Sequence, residues 1–102
     1  MKGMSRPTLT DALAHRDVVV RAFIGADGRL SSIPTKLTKR LVILDHIAQS
    51  FEPGVRYTEA EVNEVMHRFH TDHAALRRYL VENEFLERAD GVYWRAGGTT
   101  ET

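Results

Sequence analysis

YTEAEVNEVMHRFHTDHAALRRYL, residues 57–80, carries two amphipathic helical patterns with only a few polar residues between them. In the first, Val62, Val65, Met66 and Phe69 recur at the spacing of one helix face. Thr58 and Glu61 open it as a capping box: the threonine hydroxyl can accept from the Glu61 backbone N–H, and the glutamate can reach back to Thr58. Its acidic first turn (Glu59, Glu61) suits the positive end of the helix dipole. His70-Thr71-Asp72 then reads as a tight turn, with Thr71 or Asp72 as the next cap. The second helix buries Leu76, Tyr79 and Leu80. At about 100° per residue, Ala74, Arg77, Arg78, Val81 and Phe85 fall on the other side. Two helices joined so closely have the pattern of a helix-turn-helix.

Downstream, LERADGVYWR (86–95) contains Asp90-Gly91, a strong two-residue hairpin signal. That loop sets Arg88 across from Tyr93 and Glu87 across from Trp94. Adjacent strand residues face opposite ways, so one of Tyr93 and Trp94 belongs to the core and the other is more exposed.

Upstream, apolar residues at 37, 41, 44, 48 and 51, widened by Ile43 and Ile47, predict a helix that stops before Pro53-Gly54. GADG (25–28) is a turn, and RLSSIP (29–34) reads as a short strand ended by Pro34. TLTDALAHRDVVVRAFI (8–24) gives two signals. Leu9, Ala12, Leu13, Val19, Val20 and Phe23 approximate helical spacing, whereas Val18–Val20 would suit a strand. Helix is favoured, with a break near Arg16. Residues 1–7 and 97–102 read as loose ends around a single domain, 8–96. The fold class is mainly α within α+β: a winged helix-turn-helix with an N-terminal helical extension and a small antiparallel sheet.

The 102 residues suffice for one small domain, and the 42% apolar content favours a packed core over disorder. The chain has no cysteine, which excludes disulfides and thiolate metal sites. Its first residues do not resemble a secretory signal, and no apolar run approaches the roughly 18 residues of a membrane helix. A cytoplasmic protein without membrane contact is the expectation. Formal net charge is zero, so any grip on nucleic acid must come from a local basic patch.

His67, His70, Asp72 and His73 are chemically able metal ligands. Their spacing straddles the turn, however. His67 and His70 suit a helix C-terminus, and Asp72 suits a cap, so no metal and no cofactor is expected. No nucleophile–base pattern or glycine-rich phosphate loop stands out, and Glu59, Glu61 and Glu64 are explained by capping and solvation. An enzyme is not expected.

The DNA reading has a mechanism. The 72–85 helix would enter the major groove as recognition helix, presenting Thr71, His73, Ala74, Arg77 and Arg78. Lys36, Lys39 and Arg40 would hold backbone, and Arg88 and Arg95 would belong to a wing at 86–95. The partner would be double-stranded DNA bound by a homodimer. Neutrality and the acidic helix before the turn count against it. Arg77 could instead pair with Asp72 or Glu82. The alternative is a module for protein–protein contact through Val81, Phe85, Tyr93 and Trp94, since exposed apolar groups suit a protein partner.

Four blocks also resemble a known family: F-x-x-x-D-G-R-L-x-x-I-P-x-K (Phe23 to Lys36), Y-T-E-x-E-V-N (Tyr57 to Asn63), F-H-x-D-H-x-x-L-R-R-x-L-V (Phe69 to Val81) and D-G-x-Y-W-R (Asp90 to Arg95). Together they look like domain of unknown function 2087. The resemblance implies a winged-helix domain and an association with bacterial transcription control, some members being joined to helix-turn-helix regulators of the arsenical-repressor type. It implies no biochemical activity.

Overall fold

A computed structural model describes residues 9–98. The order is α1 (Leu9–Phe23), α2 (Leu37–Ala48), β1 (Arg56–Thr58), α3 (Glu59–Phe69), α4 (His73–Glu82), β2 (Leu86–Ala89) and β3 (Val92–Arg95). The protein is therefore α+β: four helices and a three-stranded antiparallel sheet in the order β1-β3-β2. One cluster of buried side chains runs from Val19 on α1 to Tyr93 on β3. It includes Ile43, Leu44 and Ile47 of α2, Val62 and Met66 of α3, and Leu76 and Leu80 of α4.

Local chemistry accounts for the element ends. The capping box forms: Glu61 N–H donates to Thr58 Oγ1 at 3.2 Å, and Thr58 N–H donates to Glu61 Oε1 at 2.8 Å. Asp72 Oδ1 accepts from Ala75 N–H at 3.3 Å and starts α4. Between these helices, His70 Nδ1 accepts from Asp72 N–H at 3.0 Å and tightens the turn. Asp90 (φ 54°) and Gly91 (φ 77°) give the hairpin loop two successive left-handed residues, as a type I′ turn requires. Glu87 then pairs with Trp94 and Arg88 with Tyr93, the expected register.

Four expectations need correction. Residues 29–34 are not a strand; only a single bridge joins Leu30 to Ile24. The backbone there is drawn to helix ends instead. Leu30 N–H donates to Phe69 O, and Ser31 N–H donates to Phe23 O. The third strand is β1, pairing with β3 from Arg56↔Trp94 to Thr58↔Val92. α1 is continuous, without a break near Arg16. α4 stops at Glu82 rather than 85, because Asn83 Nδ2 donates back to Tyr79 O and Glu84 takes a left-handed φ of 64°. Finally, Leu37, placed on the apolar stripe of α2, opens that helix and is 53% exposed.

The proposed loose ends 1–7 and 99–102, and the side chains of Leu9, Ala12 and Leu13, lie outside the described residues. Gly97, counted with the tail, is tied in: its N–H donates to Phe85 O and its carbonyl accepts from Arg95. No helix among the described residues is long and apolar enough to cross a membrane.

Candidate nucleic-acid interface

The solvent side of α4 and the β2–β3 hairpin enclose a cleft of about 390 Å³. Ala74, Arg77, Arg78 and Val81, the four residues that helical periodicity places on one face, line one wall. The same periodicity turns Leu76 and Leu80 fully into the core, so the wall is fixed by packing behind it. Arg88 and Tyr93 come from the hairpin, where cross-strand pairing puts them opposite each other. Glu82, at the end of α4, completes the lining.

Two of the three arginines are held by neutral groups. An Arg77 Nη1 donates to Asn63 Oδ1 on α3, rather than to Asp72 or Glu82. Arg88 Nη1 donates to the Tyr93 hydroxyl at 3.4 Å, and that hydroxyl donates to Glu59 Oε1 at 3.0 Å. The hydrogen bond to Tyr93, more than any other influence, holds the Arg88 guanidinium above its ordinary pKa. Arg78 is exposed, with its guanidinium 6.0 Å from the centre of the Tyr79 ring. A guanidinium carries five donors, so one hydrogen bond to the protein still leaves most of them to face the cleft.

The remaining candidates are dispersed. Arg40 is half-buried: it donates to the carbonyls of Pro34 and Thr35 and lies 4.8 Å over the Tyr79 ring, so it braces the start of α2 against α4. Arg95 donates to Gly97 O and Phe51 O and does not join the cleft lining. Lys36 and Lys39 line a separate groove of about 270 Å³ beside Phe23 and residues 32–35. Thr71 is exposed at the turn. His73, at the start of α4, packs its ring 4.9 Å from that of His67. His70 is engaged with the Asp72 backbone. Among the described residues no three histidine, aspartate or glutamate side chains gather as a metal site.

Two apolar candidates for partner contact are placed differently from expectation. Tyr93 is the core member of its pair, 1% exposed. Phe85, off the helix, is partly buried against the core, with its N–H donating to Leu80 O. Trp94 lies on the other face of the hairpin, half-buried under Arg56, with its indole N–H on Glu87. Val81 is half-buried in the cleft wall.

Sequence reasoning missed Asn63 and Glu59 as parts of this site. Both look like solvated positions of an amphipathic helix, and neither residue type by itself marks a site. The one available clue was the helical turn between them, which puts residues 59 and 63 on one face.

These features define a small α+β protein with an arginine-lined cleft between its last helix and its hairpin. The chain belongs to the family of domain of unknown function 2087, described as an uncharacterized protein conserved in bacteria, which matches residues 29–95 and so spans α2 through β3. No curated protein and no solved structure matches it.

Proposed function

We propose that this protein is a winged-helix, DNA-binding transcriptional regulator. In this reading α3 and α4 form the helix-turn-helix, α4 is the recognition helix, and β2–β3 is the wing. The element order helix–strand–helix–helix–hairpin, with the wing's second strand pairing with both other strands, supports the winged-helix assignment. The observation that carries the functional reading is the convergence of Arg77 and Arg78 from α4 with Arg88 from the hairpin on one cleft. A neutral chain needs such concentration if it is to attract phosphate at all. Arginine also suits the task chemically, because its fork can bind phosphate or a guanine edge through two parallel hydrogen bonds. A single contact region of this size binds weakly, which favours a homodimer on a duplex with two half-sites.

The acidic first turn of α3, which counted against DNA, keeps its charge but is tied into the fold by hydrogen bonds. Glu61 is engaged in the capping box and Glu59 accepts from Tyr93.

The test is fluorescence anisotropy with duplexes selected from a randomised pool, at low salt. Binding is expected to fall steeply with added salt. Replacing Arg77 and Arg78 together by alanine should weaken it at least tenfold, with the circular-dichroism melting curve preserved. Absence of binding by the wild type at low salt would refute the proposal and leave protein–protein contact as the reading to pursue.

A further inference from the structure

We infer that the cleft is a seat for one phosphodiester of the DNA backbone, with Arg77 and Arg88 as its clamp and Asn63 and Tyr93 as positioning residues that hold the two guanidiniums. The inference rests on the DNA-binding reading and assigns the cleft a role within it: positioning on the duplex, not reading of its sequence.

The lining explains why one phosphate fits better than a base edge. Three guanidiniums and one carboxylate, Glu82, line the cleft. Glu59 stands behind, joined to it through the Tyr93 hydroxyl. The excess of positive charge is small, matching an isolated monoanion rather than a run of them. The rest of the lining is Ala74 and Val81, apolar surface suited to a sugar, and Tyr93, a core residue whose hydroxyl meets Arg88. Base readout would call for a mixed set of donors and acceptors aimed into a groove. Here the cationic donors dominate.

Preorganisation supplies the second argument. Arg77 and Arg88 come from different elements, α4 and β2. Each is anchored from a third direction: Arg77 by Asn63 of α3, and Arg88 by Tyr93 of β3, whose hydroxyl is oriented by Glu59 of α3. Arginine side chains lose considerable rotamer entropy when immobilised; the contact of half-buried Arg77 with Asn63 imposes part of that loss before DNA arrives, and the longer 3.4 Å bond of exposed Arg88 biases its direction. Arg78, exposed and without such an anchor in the cleft, is the adaptable member. Sequence reading would then fall to the start of α4, where Thr71 and His73 sit.

The experiment uses one selected duplex in which a neutral methylphosphonate replaces each backbone phosphate in turn. Wild-type protein should lose about tenfold in affinity at one position per half-site. In the Arg77→Ala, Arg88→Ala double variant the same replacement should cost nothing further, while losses at all other positions persist. Asn63→Ala and Tyr93→Phe should reduce sensitivity at that same position alone; a purely structural effect would lower binding to every duplex equally. If the wild type binds the duplex but the arginine and methylphosphonate effects multiply at every position, the seat is wrong while DNA binding stands. If the wild type binds no duplex, both fall together.

Discussion

Two sets of arginines in this protein meet different partners. Around α2 and the loops that flank it, guanidiniums close on main-chain carbonyls. Arg29 donates to His67 O and Arg68 O at the end of α3, Arg40 to Pro34 O and Thr35 O, and Arg95 to Phe51 O and Gly97 O. Around the cleft, Arg77 and Arg88 donate to side chains, Asn63 and Tyr93, and line the cavity. The carbonyls of His67 and Arg68 are orphan acceptors in the last turn of α3, and those of Pro34, Thr35, Phe51 and Gly97 are main-chain groups of loops, so the first set ties backbone together and serves the fold. The second set satisfies little that the fold requires. A basic residue in the sequence is therefore no guide to a basic site until its acceptor is known.

Substitutions can break or sharpen that contrast. The largest effect is expected at Leu80, fully buried on the inner side of α4. Leu80→Ala should cost about 2–5 kcal/mol in chemical denaturation, because it leaves a cavity beneath the cleft wall. It would damage both regions at once and so marks the upper bound.

Arg40→Ala should separate them. Losing two charged hydrogen bonds and the stacking on Tyr79 should destabilise the fold by roughly 1–3 kcal/mol, while duplex affinity per folded molecule stays unchanged. A loss of affinity without a loss of stability would move Arg40 to the functional set.

A smaller effect is expected at the cap of α4. Asp72→Ala removes the acceptor for Ala75 N–H and should cost about 1 kcal/mol, with Asp72→Ser recovering most of it. The helix that carries Arg77 would fray, so DNA affinity should follow this loss only in part.

The smallest is a pH effect on the α2 side. Burial, followed by the positive charge of Arg16, pulls the His46 pKa below its ordinary 6.5, with Asp45 acting in the opposite direction. The folded state therefore binds the proton less readily than the unfolded state. The resulting contribution is complete above 6.5 and is lost as pH falls from there through the depressed folded value. His46→Gln should flatten the stability–pH curve in that window. An unchanged slope would show that another group governs it.

What could be read in the sequence was what local rules determine. Asp90-Gly91 fixed the hairpin and its register, Thr58 with Glu61 the start of α3, and periodicity the face shared by Ala74, Arg77, Arg78 and Val81. Longer-range choices were not legible. Residues 29–34 alternate like a strand, yet Leu30 N–H finds the end of α3, a partner some 40 residues away in the chain. β1 is three residues long, too short for its alternation to register. Arg95 looked like part of the wing's charge because nothing near it in sequence reveals that Phe51 O is its acceptor. Phe85 seemed to extend α4 because Glu84 gives no sign, as a residue type, of its left-handed backbone.

The most direct test of the contrast is the salt dependence of duplex binding, measured side by side for the wild type, for Arg77→Ala with Arg88→Ala, and for Arg29→Ala with Arg40→Ala. Each phosphate that the protein neutralises contributes about one to the slope of log affinity against log salt. The cleft variant, which loses the one phosphate held jointly by Arg77 and Arg88, is expected to lose about one from that slope per site, while the variant of the carbonyl-bound pair keeps the wild-type slope at reduced thermal stability. Equal slopes for the wild type and the cleft variant, or a slope reduced in the Arg29 and Arg40 variant alone, would contradict the contrast.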